Sequence, residues 1–146
     1  MRRFLLLLGG LTFSAFLAAQ LVRPPEPSAA LDVDARTVWQ DPSVPADVRA
    51  ILRRSCADCH SIETRWPWYT HVAPASWLVA NDVRNARARL NLSNWPRQPD
   101  IEKAGIGDVI VNRLMPPRRY LLLHPDARLS DAERKTIVNW IQNTPR

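Results

Sequence analysis

A continuous apolar run dominates the start of the chain. Phe4 to Val22 spans nineteen residues and is broken only by glycine, by Thr12 and Ser14, and by Gln20. At about 1.5 Å per residue, a helix over this run covers about 28 Å, close to the thickness of a bilayer's hydrocarbon core. The flanking arginines at positions 2 and 3 would stay cytoplasmic. The pattern predicts an export signal within residues 1–30, and we favour an uncleaved membrane anchor over a cleaved leader.

Apolar positions at helical spacing predict further helices in the rest of the chain. One begins after Pro45 and runs to Cys56, with Val48 and Ile51 on its apolar face. A second covers Ala75–Leu92, with apolar residues on one side and most charged residues on the other. Both patterns are those of surface helices that bury one face.

End signals delimit two more helices. A third helix begins at Asp100 and ends at Met115, because the residue before a proline avoids the helical conformation and Pro116 follows. The last helix follows Ser130 and Glu133, which have the S-x-x-E form of a capping box. The chain lacks the alternation and turn signals of a β-sheet, so the sequence predicts an all-α fold.

These elements predict three segments. Residues 1–30 are the signal or anchor, residues 31–45 are a polar, aperiodic linker, and residues 46–146 are one small helical domain. The formal net charge of the 146 residues is +6, and it falls to +4 without residues 1–30. Because the basic residues form no run of like charge, we do not expect nucleic-acid binding.

Both cysteines lie in one short motif, Cys56-Ala57-Asp58-Cys59-His60. The C-x-x-C-H spacing is the signature of covalent haem attachment. On one helical turn, two thiols can reach the two vinyl-derived carbons at a porphyrin edge, and the next residue can present its imidazole to the iron. The motif therefore predicts one haem c, attached through Cys56 and Cys59, with His60 as the proximal ligand.

Three other kinds of site could use the same residues. A thioredoxin-like dithiol belongs at the start of a helix within a βαβ pattern, which this sequence lacks. A zinc site would need a fourth ligand such as His71 or His124, and two of its ligands would be adjacent in the chain. A disulfide between Cys56 and Cys59 would close a very short loop and leave His60 unexplained. Haem attachment is favoured over all three.

The sixth iron ligand decides the chemistry of such a haem. Met115 precedes Pro116-Pro117, a rigid segment able to hold a thioether sulfur over the second haem face, and Met/His ligation raises the reduction potential. The alternatives are His124, His71 or an open site, and Met115 can also be an ordinary core residue. We favour iron ligation by His60 and Met115.

Large aromatic side chains follow the motif closely. Such rings can cover a porphyrin and offer N–H or O–H groups to its propionates, or they can form an ordinary core. The preferred propionate partners are Arg65 and Tyr69, and the carbonyl of Pro74 is a candidate acceptor for the Nδ1–H of His60. The candidate cofactor-binding residues beyond the motif and Met115 are Arg65, Trp66, Trp68, Tyr69 and Trp77.

The residues around these motifs resemble those of the bacterial haem-binding domain family of short, membrane-anchored c-type cytochromes. The resemblance covers about residues 45–143. It implies an exported haem protein, and the order of the motifs is similar to that of a class I cytochrome c. We therefore expect a cytochrome c-like domain on the periplasmic side of the bacterial inner membrane. The matching residues are Cys56–Ser61, Thr64–Tyr69, Ala73-Pro74, Ser76–Leu78, Asp82-Val83, Leu90-Asn91, Met115-Pro116, Tyr120, His124-Pro125 and Leu129-Ser130.

Three departures from the family pattern stand out. Ile62 takes a place where Asn is common, and Ala86 takes one where Gly often precedes an Arg. Neither position carries a predicted iron ligand. Arg113-Leu114 stands where Gly-x often precedes the methionine, which bears on how the chain approaches the distal haem face.

Two functions fit a single covalent haem. The favoured one is electron transfer to and from redox partner proteins by a six-coordinate iron, without enzymatic activity. The alternative is a displaceable distal site for peroxide reduction or gas sensing, with His124, Arg118 or Arg119 stabilising bound oxygen species. A non-catalytic role as a subunit of a larger oxidase complex is a third interpretation.

Overall fold

The computed structural model describes residues 1–25, 27, 36–97 and 100–143, and every regular element in these ranges is helical. The predicted all-α fold is therefore confirmed. Three 3₁₀ turns cover Trp68–His71, Leu92–Arg97 and Pro125–Ala127. The helices are α1 (Arg2–Ala19), α2 (Ala46–Ser55), α3 (Ala57–His60), α4 (Ala75–Arg89), α5 (Asp100–Val111), α6 (Arg118–Leu121) and α7 (Asp131–Asn143).

Helix α1 stands apart from the other helices. None of its residues is buried, and large apolar side chains such as Phe4 and Phe13 are exposed. The Thr12 hydroxyl donates to the carbonyls of Leu8 and Gly9, at 3.1 and 2.9 Å, so this polar group is satisfied within the helix. In length and composition α1 fits a membrane anchor or a signal sequence.

The hydrophobic core lies between α2, α5 and α7. Helices α5 and α7 form the most extensive helix pair, and the rings of Trp95 and Trp140 stack with their centroids 5.6 Å apart. Removing such side chains from water stabilises the fold by about 1.5–3 kcal/mol for each large residue. The core residues are Val38, Val44, Val48, Ile51, Leu52, Leu92, Trp95, Ile106, Ile110, Leu129, Ile137 and Trp140.

The packed domain begins earlier than predicted. Within the predicted linker over residues 31–45, the first five positions lie outside the described residues, whereas Val38 and Val44 are fully buried in the core. The Val38 N–H also donates to the carbonyl of Leu92 at 2.8 Å. Two valines in irregular backbone leave no periodic pattern, which is why this segment resembled a spacer in the sequence.

Helix α4 ends at Arg89, three residues before its predicted end at Leu92. Leu90 is extended, with φ −148° and ψ 117°. Its N–H still donates to the carbonyl of Ala86 at 2.9 Å, but its own carbonyl lies outside the helix. The extended backbone at Leu90 thus presents a carbonyl acceptor beside the Cys–His motif.

Helix α5 also ends early, at Val111 instead of Met115. Arg113 has a φ of 55°, and two hydrogen bonds close the helix end: from the Arg113 N–H to the Ile110 carbonyl at 3.2 Å and from the Leu114 N–H to the Val109 carbonyl at 2.9 Å. This is a Schellman motif, in which the left-handed position usually carries glycine. The prolines that follow Met115 therefore do not determine the end of α5.

The N-terminus of α7 carries the predicted capping box. The Ser130 N–H donates to Glu133 Oε2 at 2.8 Å, and the Glu133 N–H donates to the Ser130 hydroxyl at 3.2 Å. The other oxygen of Glu133 pairs with Arg54 at 2.7 Å. One carboxylate thus caps α7 and ties it to α2.

Replacing Arg113 should stabilise the protein. We expect Arg113→Gly to raise the free energy of unfolding by about 0.5–1 kcal/mol, because glycine adopts a positive φ without strain. The lost ion pair with Asp131 at 2.9 Å subtracts little, since both side chains are largely exposed. Denaturant unfolding measures the difference. Arg113→Ala is the control: it removes the ion pair and keeps the strain, so an equal gain there would contradict this account.

Candidate functional site

The Cys–His motif lies where α2 meets α3. Cys56 separates the two helices, and its carbonyl accepts the N–H of Cys59 at 3.2 Å and that of His60 at 2.9 Å. The three residues therefore lie within one helical turn, as the spacing predicted. Both cysteines are free thiols, so they do not form the short disulfide considered above.

The thiols are protonated at neutral pH. Burial raises the pKa of Cys56 to about 12 and that of Cys59 to about 11. A redox-active dithiol depends on a lowered cysteine pKa, and no strand accompanies the motif in the described ranges. The described residues also hold no group of three or more His, Cys, Asp or Glu side chains placed to bind a metal ion. The structure thus gives the dithiol and zinc alternatives no support.

The His60 imidazole is held in one orientation by the backbone. Its Nδ1 lies 2.9 Å from the carbonyl oxygen of Leu90, and because a carbonyl only accepts, Nδ1 carries the proton. Burial lowers the pKa of His60, so the ring is neutral at pH 7 and Nε2 keeps its lone pair. The predicted acceptor, Pro74, is wrong: its carbonyl accepts the N–H groups of Trp77 and Leu78 in the first turn of α4.

This donor set fits a covalently attached haem. Two free thiols at the C-x-x-C spacing can supply the attachment points, and a neutral imidazole with its proton on Nδ1 has an Nε2 lone pair for an iron ligand. A hydrogen bond from the second ring nitrogen to a backbone carbonyl fixes the tautomer and makes the ligand more basic. The chemistry of the site thus agrees with the motif.

Asp58, between the two cysteines, is the centre of a hydrogen-bond network. It accepts the Tyr120 hydroxyl at 2.8 Å and the Nε and a terminal nitrogen of Arg65 at 3.2 and 3.1 Å. Burial opposes ionisation of Asp58, but the bonds from Arg65 and Tyr120 outweigh it and lower the pKa of the carboxyl. Arg65, a predicted propionate partner, is therefore paired with Asp58. Tyr120 follows Met115 by five residues, so the bond from Tyr120 to Asp58 links the segment over residues 115–120 to the Cys–His motif.

A second cluster joins Tyr69, His124 and Tyr120. The Tyr69 hydroxyl lies 2.6 Å from His124 Nε2, and the His124 ring stacks on Tyr120 with a centroid distance of 4.2 Å. Tyr69, the other predicted propionate partner, is thus bonded to His124. The same contacts hold His124, the alternative distal ligand, between two tyrosines.

The three predicted tryptophans lie in different surroundings. Trp77 Nε1 donates to the carbonyl of Val22 at 2.7 Å, and Trp66 lines a cavity of about 340 Å³ beside the chain that follows α1. Trp68 is 78% exposed and meets Tyr69 edge-on, with centroids 6.0 Å apart. Contact of these rings with haem stays a prediction.

Met115 is half-buried and packs against the hydrophobic core. Its N–H lies 3.4 Å from the carbonyl of Val109, within the closed end of α5. His71, another alternative ligand, is exposed. Iron ligation by Met115 stays a prediction.

Arg87 is a residue of the site that the sequence did not reveal. Its guanidinium donates to the Ser61 carbonyl at 2.9 Å and to the Thr64 hydroxyl at 2.8 Å. Burial lowers the pKa of Arg87, yet the side chain stays charged because its ordinary pKa is far above neutrality. Arg87 thereby fastens the chain after the motif to α4. Its position five residues before the predicted end of an amphipathic helix suggested a solvated charge.

Comparison with known proteins identifies the family. The family model "Haem-binding domain" matches residues 14–143, and the chain belongs to this family. The family match supports haem as the cofactor of this chain.

One curated relative is a larger haem protein. The chain is 30% identical over 119 residues to the cytochrome c peroxidase Ccp of Escherichia coli (strain K12), a match that covers 75% of this chain and 24% of that protein. The chain thus spans about a quarter of the relative's length. No solved structure matches the chain.

The Asp58–Tyr120 bond should contribute measurably to stability. We expect Tyr120→Phe to lower the free energy of unfolding by about 1–2 kcal/mol, because a half-buried carboxylate loses a donor. A double-mutant cycle with Asp58→Asn, followed by denaturant unfolding, isolates the pair. Strict additivity of the two substitutions would show that the hydroxyl and the carboxylate do not interact.

Proposed function

We propose that the protein is a membrane-anchored, monohaem c-type cytochrome that transfers single electrons. Haem would be attached at Cys56 and Cys59, each thiol adding across a vinyl group so that sulfur and hydrogen end on its two carbons. His60 would be the proximal ligand and Met115 the distal one. The observation that carries this proposal is the Leu90-oriented imidazole of His60 beside two free thiols on a single turn.

The chain's own residues have simple tasks in such a protein. Bound haem supplies the one-electron couple of its iron. The Leu90 carbonyl holds the Nδ1–H of His60, so the ligand keeps its orientation in both oxidation states. Asp58 holds Tyr120, and through it the segment that carries Met115. No proton has to move for an electron to pass, which agrees with a site held by fixed hydrogen bonds.

We also propose which residues contact the haem propionates and the porphyrin edge. The side chain of Arg65 is 65% exposed, so its guanidinium can meet a propionate while it stays paired with Asp58. Tyr69 would have to exchange its bond to His124 for a bond to a propionate. The exposed ring of Trp68 offers apolar surface for the porphyrin edge.

We place the domain outside the cytoplasm, with α1 retained as the anchor. The chain after α1 is bonded into the domain: the Gln20 amide accepts the Ala73 N–H at 2.9 Å and donates to the Ala73 carbonyl at 3.3 Å. The family match also begins at residue 14, inside α1. A segment with these contacts supports the folded domain, which favours retention over cleavage. Redox proteins of the same compartment would be its partners.

Optical spectra of the protein, made in a host with cytochrome c maturation, test this function. We expect a c-type pyridine haemochrome, sharp α and β bands on reduction, and a weak red-edge band from methionine bound to ferric iron. Met115→Leu keeps the apolar volume and removes the sulfur, so the red-edge band should vanish and the reduction potential should fall. Leu114→Ala, at an exposed neighbouring position, is the control. An unchanged ferric spectrum in Met115→Leu would overturn the ligand assignment.

A second candidate function is peroxide chemistry at a displaceable distal site. It is favoured by the similarity to a cytochrome c peroxidase and by His124, a base held between two tyrosines near the motif. If electron transfer is the function, wild-type protein should bind no carbon monoxide and should turn over hydrogen peroxide slowly, and His124→Phe should change neither result. A fall of tenfold or more in peroxide turnover in His124→Phe would establish the alternative.

A further inference from the structure

We propose that the haem domain rests on the membrane, with an apolar face formed by Val72, Trp77 and Leu78 in contact with the lipid bilayer. We call these three residues the membrane face. The proposal relies on the retention of α1 as an anchor, and it is independent of the iron ligands.

The geometry of α1 places its end at the domain surface. The helix projects from the domain with no buried residue, and the first side chain to bond to the domain is that of Gln20, directly after Ala19. Gln20 is bonded at the same time to the carbonyl of Phe16, at 2.9 Å, within α1. A side chain that bonds to both α1 and Ala73 holds the end of the helix against the start of α4.

The length of α1 determines where its C-terminal end, and Ala73 beside it, lie relative to the bilayer. Its 18 residues span about 27 Å, nearly the whole hydrocarbon thickness of a bilayer. With the N-terminal arginines on the cytoplasmic side, Ala19 and Gln20 come to the opposite boundary of the hydrocarbon layer. Ala73, which is bonded to Gln20, therefore lies at that boundary as well.

The residues next to Ala73 suit such a position. Val72, Trp77 and Leu78 are 36%, 38% and 49% exposed, unlike the buried apolar residues of the core. The Trp77 indole N–H is bonded to the carbonyl of Val22, which fixes the ring beside the chain that leaves α1. Tryptophan is enriched at membrane interfaces, because its ring is apolar and its N–H is polar.

The charges that flank α1 are compatible with a lipid surface. Arg23 follows Val22 directly, and its long side chain can reach lipid phosphates while its stem stays in the interface. A bilayer covers an exposed apolar face that continues directly from the end of a membrane-crossing helix, without any second protein. Lipid is therefore the occupant to which we commit, and a second copy of the chain becomes an outcome of the test.

Site-specific photo-cross-linking tests the membrane face. The full-length, haem-loaded protein is reconstituted in nanodiscs of phosphatidylethanolamine and phosphatidylglycerol, with a diazirine-bearing amino acid at Leu78. The matched control carries it at Val111, which is 63% exposed at the end of α5, a helix that packs on α7. Mass spectrometry should find lipid adducts at position 78 at least fivefold above those at position 111. The same excess is expected at position 72.

Each of the other possible results contradicts a different part of this proposal. Equal lipid yields at positions 78 and 111, or no adducts at all, would refute membrane contact by this face. Adducts with a second copy of the chain would assign the face to a dimer instead. Intact mass shows whether residues 1–25 are retained, and their loss would refute both the anchor and this proposal. The optical spectrum, recorded on the same sample, reports separately on the haem and its ligands.

Discussion

The hydrogen bond between His60 Nδ1 and the Leu90 carbonyl is the contact on which the site depends. It depends on the extended backbone of Leu90, directly after the end of α4, which directs that carbonyl toward the His60 imidazole. It also requires the turn that begins at Leu92 to stay in place, and that turn is held by core packing and by the bond from Val38. The orientation of one imidazole thus depends on backbone far from the motif in sequence.

The sequence could predict whatever is encoded over a short range. The C-x-x-C-H turn, the capping box of α7 and the main helices are each determined by neighbouring residues, and the structure contains them. The helix ends of α4 and α5 were misplaced by three and four residues, because long-range contacts and the left-handed Arg113 decide them. Proline gave the stronger sequence signal, although it is not what ends α5.

The side-chain partners around the motif were the least predictable part. Arg65 and Tyr69 are predicted propionate partners, and within the protein they are bonded to Asp58 and His124. The Tyr69–His124 and Asp58–Tyr120 pairs join positions 55 and 62 residues apart, so no local pattern announces them. Asp58 itself lies inside the motif as one of its two variable residues. A carboxylate between the cysteines was the available hint, because a charge held at a half-buried position needs partners.

The bond between Val38 and Leu92 has a practical consequence for biochemical work on this protein. A fragment that starts at residue 46, where the first domain helix begins, would lack Val38, Val44 and the irregular segment that contains them. It would therefore lose the hydrogen bond from the Val38 N–H to the Leu92 carbonyl. Such a fragment would keep every residue of the haem motif and lose part of the scaffold that aims its histidine. Spectra recorded on it would describe a loosened histidine, and the cause would lie at Val38 and Val44, 22 and 16 residues before His60 in the sequence.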